Sequence, residues 1–235
     1  MHMSAAVAAG IGLVIALSLG AFLNVMIARR GITRALATHV AFLIAAAAGV
    51  LPCLALRHGR QLLDQSYLLR IPPAAVIATA PILALGLLIA VQGVLLLATR
   101  HAARPSLQLR PQQYVKVGAH RPSRLPLILP TGALIEEVEF RGVLQPLFTL
   151  LLAPAFGPTP AAWLSVALTA LGFGAAHLNR NLIGRVGATI AGIVLGAAVL
   201  ITHSLLVSTC AHVLGNLIAC VTAWYVDREA RTAAG

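Results

Sequence analysis

Acidic side chains are scarce in this chain: six Asp or Glu among 235 residues, against 17 Lys or Arg. Charged residues make up 10% and hydrophobic residues 59%, with a mean hydropathy of +0.91. Several apolar runs exceed the roughly 18 residues that mark a membrane-spanning helix, which excludes an ordinary soluble globular domain. The runs are continuous rather than alternating, so a transmembrane barrel is excluded too. Cys53, Cys210 and Cys220 are too few and too scattered for a disulfide framework and form no CxxC, so they read as small apolar core residues. The formal charge of +11 meets no nucleic-acid-binding motif. Its basic residues fall between apolar runs, where positive-inside topology and anionic headgroups explain them. The expected partners are membrane lipids, not nucleic acid.

What is present is an all-α, polytopic bundle of about seven spans. The first covers 5–28; it has no basic n-region and Arg29 and Arg30 follow it, so it reads as a retained helix and not as a cleaved signal. Spans follow at 35–56 and, after Pro72-Pro73, at 74–99. The stretch 100–124 is polar and basic and reads as a lipid-facing loop. Span four starts at 125 and ends near Phe156-Gly157-Pro158, span five covers 161–178 and span six 186–201. A tight turn at Thr202-His203-Ser204 leads into span seven, which ends near 226. With the N-terminus outside and the C-terminus inside, 13 Lys/Arg face the cytoplasm and three (Arg57, Arg60, Arg70) lie outside, with Arg141 in the membrane. The reversed orientation inverts that ratio, so N-out, C-in is the expectation. The chain divides into three spans plus a basic loop (1–124), a helical core (125–226) and a short tail (227–235).

Three of the six acids lie in the four positions 136–139 of span four. A charge at the centre of a spanning helix costs roughly 2.5–3.5 kcal/mol on insertion scales, so such residues are functional candidates. Glu137 and Arg141 are four apart on one helical face, with the acid first, the favourable order for an ion pair. Glu136 points about 100° away and remains the uncompensated acid, a candidate general base. Glu139, three residues on, could share its face. The bland reading is an ion-pair network joining helices. Span five ends Phe173-Gly174-Ala175-Ala176-His177, and a lone His at a span end reads first as an interfacial residue. Span seven carries His212 and Asn216, four apart on one face; alone they read equally well as interhelical hydrogen bonding. Together, Glu136, His177, His212 and Asn216 can converge in the inner half of the membrane. A base, two imidazoles and an amide around one water suit hydrolysis of a carbonyl substrate.

These motifs, in this order, resemble the CPBP family of intramembrane proteases (CAAX proteases and bacteriocin-processing enzymes, the Abi family). Its Glu-Glu-x-x-x-Arg, Phe-x-x-x-His and His-x-x-x-Asn signatures match Glu136-Glu137 with Arg141, Phe173 with His177, and His212 with Asn216. The resemblance covers roughly 125–226. It implies a membrane-embedded endopeptidase acting on a peptide or membrane protein, in which Glu136 and His177 activate water. His212 and Asn216 would stabilise the oxyanion, while Glu137 and Arg141 hold the site together. Glu136, His177 and His212 could ligate Zn2+, although the chain has no HExxH. Glu139 is extra to the motif, offering another ligand or pairing with a base elsewhere. The alanine- and arginine-rich composition points to a bacterial inner membrane, with the site facing the cytoplasm. Two other classes stay open: a proton- or ion-coupled transporter, against which stands the lack of internal repeats, and a non-catalytic scaffold of the same superfamily. Gly192 and Gly196 form a GxxxG that can pack within the bundle or between chains.

Overall fold

The computed structural model describes residues 4–30, 34–55, 59–67, 71–102, 125–177 and 182–232, and among these every regular element is helical. The basic segment 103–124, Arg57, Arg70 and Arg180 lie outside the described residues, as do the side chains of Arg29, Arg30, Arg34, Cys220, Arg228 and Arg231.

Helices α1 (Ala5–Arg30) and α2 (Arg34–Ala55) pack closely because small residues meet at their crossing. A Cβ on Gly12 would strike the Gly49 carbonyl, and one on Gly49 would lie 2.8 Å from the Ala16 Cβ. The segment expected only to connect spans two and three contains a short helix, α3 (Gly59–Ser66), too polar to announce itself by an apolar run. The Pro73 carbonyl then accepts the backbone N–H groups of Val76 and Ile77, starting α4 (Ala74–Ala102). α4 therefore reaches three residues into the stretch 100–124 that was expected to be loop.

Span four departs most from expectation. It is not one continuous α-helix: α5 (Leu125–Glu137) gives way to a π-helix, π1 (Val138–Leu144), followed by α6 (Gln145–Phe156). The Gln145 N–H bonds to the Phe140 carbonyl five residues back. Pro146 supplies the physical reason. It has no N–H, and in an α-helix its ring would press on the carbonyl of Gly142, four residues earlier; a wider turn just before it relieves that contact.

Gly157 adopts φ +81° between α6 and α7 (Pro158–Ala176), a conformation open to glycine without strain. The helices α8 (Leu182–Thr202) and α9 (Leu205–Thr232) complete the bundle. They join at the expected tight turn, where His203 has φ +52°. Among the described residues two segments are long and apolar enough to cross a membrane, Pro158–Ala176 and Gly184–Thr202. Shorter apolar helical stretches occur at Ala5–Gly20, Ile44–Ala55, Ala74–Ala90 and Leu205–Ile218.

The core sits around π1. Phe140, Val143, Leu144 and Leu147 pack with Ala8 and Leu13 of α1, Cys53 of α2 and Phe173 of α7. Cys53 is thus the buried apolar residue expected, and Cys210 is half-buried. The GxxxG turns inward: a Cβ on Gly192 would lie 2.9 Å from the Ala170 Cα, and one on Gly196 3.1 Å from Val166. Gly174 is tighter still, since a Cβ there would overlap Thr189 Oγ1 and sit 2.8 Å from the Arg185 carbonyl. Gly174→Ala should therefore destabilise the protein by about 1–3 kcal/mol, despite alanine's helix-propensity advantage of about 1 kcal/mol. Thermal unfolding in detergent checks this; an unchanged or higher midpoint would contradict the packing described, and adding Thr189→Ala should recover part of the loss.

Candidate active site

The π segment sets the geometry of the site. In an α-helix four residues overshoot one turn by about 40°, so side chains four apart drift steadily round the axis. The wider π turn takes up part of that overshoot. Glu137, Arg141, Gln145 and Thr149 consequently run as one polar stripe down a helix otherwise apolar. Arg141 Nη1 donates to Glu137 Oε1 at 3.0 Å, so the expected ion pair forms, and Arg141 Nη2 donates to the Gly192 carbonyl at 3.3 Å. Gln145 Nε2 donates to the Gly196 carbonyl at 3.4 Å, and the Thr149 hydroxyl meets Ser165 Oγ at 2.9 Å. The absence of a side chain at Gly196, where a Cβ would lie 3.1 Å from Gln145 Oε1, lets the amide reach that mid-helix carbonyl.

Arg141 and Glu137 are both essentially inaccessible, at 1% and 0% exposure. The guanidinium also lies over the Phe173 ring, 4.6 Å from its centroid, a cation–π contact in a dry setting. Phe173 is the hub of the site. Its ring meets Phe140 edge-on at 5.1 Å, His177 at 4.7 Å and His212 at 5.8 Å.

His212 stands between the two adjacent acids. Its Nδ1 is 2.8 Å from Glu137 Oε1 and its Nε2 is 3.5 Å from Glu136 Oε2. A carboxylate only accepts, so Nδ1 carries the proton donated to Glu137, and Nε2 faces Glu136 at more than ideal hydrogen-bond length. Ser208, one turn earlier on α9, also lies beside Glu137, while its hydroxyl donates to the Leu205 carbonyl at 3.1 Å. His177 is fixed likewise: its Nδ1 lies 2.7 Å from the Phe173 carbonyl, so Nδ1 bears the proton and the neutral ring keeps its lone pair on Nε2.

Six residues singled out from the sequence are therefore linked by direct contacts: Glu136, Glu137, Arg141, Phe173, His177 and His212. Asn216 lies one turn beyond His212 on α9, half-buried. Glu139 is buried, within electrostatic reach of Glu136 and Arg141, and its Oε2 has no hydrogen-bond partner among the described residues. Among the described residues no group of three His, Cys, Asp or Glu side chains is placed to hold a metal ion. His212 Nδ1 is committed to Glu137. Gln145, Thr149 and Ser208 were not anticipated, although the four-residue spacing from Glu137 through Thr149 is a signal that points to the first two.

The family model described as type II CAAX prenyl endopeptidase Rce1-like matches residues 120–218. That range holds the whole acidic cluster, both imidazoles and Asn216. No curated protein and no solved structure matches the chain.

Proposed function

We propose that this chain, whose residues 120–218 match the type II CAAX prenyl endopeptidase Rce1-like family model, is a protease of that family and hydrolyses a peptide bond of a membrane-associated protein or peptide at the site built on Glu136 and His212. The observation that carries this reading is the imidazole held between two neighbouring carboxylates of unequal burial: the Glu136 side chain is 15% exposed and that of Glu137 0%. The inner acid orients the ring, as the buried aspartate does in a Ser-His-Asp triad. The outer acid is left to meet water.

In the reaction, Glu136 accepts a proton from a water molecule as the oxygen of that water bonds to the carbonyl carbon of the substrate. Nε2 of His177, the acceptor nitrogen fixed by the Phe173 carbonyl, helps to orient the water. Charge then develops on the carbonyl oxygen. A protonated His212 Nε2 and the Asn216 amide donate to it, and Glu137 supports the positive imidazolium through Nδ1. When the C–N bond breaks, the leaving amine takes the proton held by Glu136, and the carboxylate is restored. Arg141 touches none of the reacting atoms; it holds Glu137 and, through the Gly192 carbonyl, the helix beside it.

We read the bundle as seven spans, N-terminus outside and C-terminus inside, in a bacterial inner membrane, with the basic stretch 103–124 on the cytoplasmic side. A single cysteine placed at Gln112 in a Cys-free background should react with membrane-impermeant maleimide only in inside-out vesicles. Labelling in intact cells would reverse the orientation.

Prenylated C-termini, bacteriocin precursors and other membrane proteins are all candidate substrates. The test compares protein termini, by mass spectrometry, in membranes from cells expressing wild type or Glu136→Gln. Termini generated only by the wild type would support the reading and identify the substrate. Identical sets, with both proteins inserted and folded, would instead favour a transporter or a scaffold.

A further inference from the structure

Four polar atoms without partners crowd into nine residues of span four. Among the described residues these are Glu137 Oε2, Glu139 Oε2, Arg141 Nε and Gln145 Oε1, each on a side chain at least nine-tenths buried. Leaving one such atom unpaired costs about 1–3 kcal/mol, and a bilayer core offers no solvent to satisfy it. Nor can the side chains turn to pair with one another. Nη1 and Nη2 of Arg141 are held by Glu137 and the Gly192 carbonyl, and Nε2 of Gln145 by the Gly196 carbonyl. Rotating either group to satisfy its orphaned atom breaks a bond already made.

The set comprises three acceptors and one donor. A cation would serve the oxygens and be repelled by Arg141; an anion would serve the Arg141 N–H and be repelled by two carboxyl groups. A water molecule donates twice and accepts twice, and buried waters commonly make about three bonds to groups of this kind. We propose that π1 is an internal water-binding site, holding one or more waters against Glu137, Glu139, Arg141 and Gln145. Glu139 lies within electrostatic reach of Glu136, so water held there stands beside the general base. This site is the store from which the hydrolytic water is drawn, a role that rests on the protease reading, whereas the water site itself does not.

X-ray hydroxyl-radical labelling of the intact, purified protein tests both parts, because radiolysis of bound water yields hydroxyl radicals that oxidise the side chains next to it. Phe140, only 4% exposed, should be labelled several-fold more than Leu147 and Val199, both at 0% exposure, after each is normalised to the intrinsic reactivity of its residue type. Glu139→Leu combined with Gln145→Leu should abolish the excess, while Glu139→Gln, which still bonds water, should keep it. Circular dichroism and thermal unfolding establish that the variants fold. Wild-type Phe140 labelled no more than Leu147 overturns the site. In Glu139→Leu, kcat should fall on the order of tenfold with KM held, the size expected from losing one buried hydrogen bond. Loss of the label with kcat unchanged overturns the supply role and leaves a structural water. Strong labelling in a wild type that cleaves nothing keeps the water site and sinks the protease reading instead.

Discussion

Glu136→Gln should reduce kcat by about 10²- to 10⁴-fold, the range of a positioned general base, with almost no effect on folding. The substitution keeps the shape of the side chain and removes only its ability to take a proton from water. Its one described polar contact, Oε2 to His212 Nε2 at 3.5 Å, is long, and the side chain is partly exposed. Stability should therefore change by no more than about 0.5 kcal/mol, as for other substitutions away from buried networks. Glu137→Gln is the instructive neighbour. That side chain receives both Arg141 and His212 and is fully inaccessible, so its loss should lower the unfolding midpoint as well as the rate. Two adjacent, chemically identical acids thus differ in signature, the first affecting the rate alone and the second both rate and stability. Activity above a tenth of wild type in a folded Glu136→Gln protein would remove this residue from the base role.

Much of this arrangement is legible in the amino-acid sequence. Apolar runs bounded by Pro, Gly and Arg locate the helices to within a few residues: 161–178 against the observed Pro158–Ala176, and 186–201 against Leu182–Thr202. The Glu137–Arg141 pair follows from spacing alone, because four residues return a side chain to nearly the same face. α3 escapes such a reading because eight polar residues carry no span signal. The π segment escapes it although its cause, Pro146 inside an apolar run, is in plain view. Proline in a long helix also kinks or ends it, and local sequence does not choose among these outcomes. Which carboxylate the imidazole faces is beyond sequence altogether. His212 sits 75 residues from Glu137, and only the packing of α9 against span four selects Nδ1 for one acid and Nε2 for the other. The direction of the GxxxG is hidden for the same reason: small residues permit close approach without naming the partner.

Arg141→Met should have the opposite profile to Glu136→Gln and the larger structural effect. It removes the guanidinium bonds to Glu137 and the Gly192 carbonyl and the contact over Phe173. Glu137 would then keep only His212 as a hydrogen-bonding partner on Oε1. Breaking a buried pair from one side costs about 3–5 kcal/mol, because the remaining charge is left uncompensated. Methionine fills similar volume, so little of the loss should come from a cavity. Arg141→Lys should recover only part of it, since one ammonium cannot span Glu137, the Gly192 carbonyl and the Phe173 face as a planar fork does. The pairing itself is isolated by adding Glu137→Gln to Arg141→Met. The double variant should be more stable than the sum of the two single losses allows, because the acid stranded by Arg141→Met is no longer charged. Thermal unfolding in detergent, read by a helical signal, supplies all four corners of the cycle. An Arg141→Met protein with a wild-type midpoint would mean that the guanidinium does not hold this bundle together, and its place would have to be sought among the reacting groups. A lowered midpoint with positive coupling fixes Arg141 as the residue that holds Glu137 in place, and so keeps His212 turned towards Glu136.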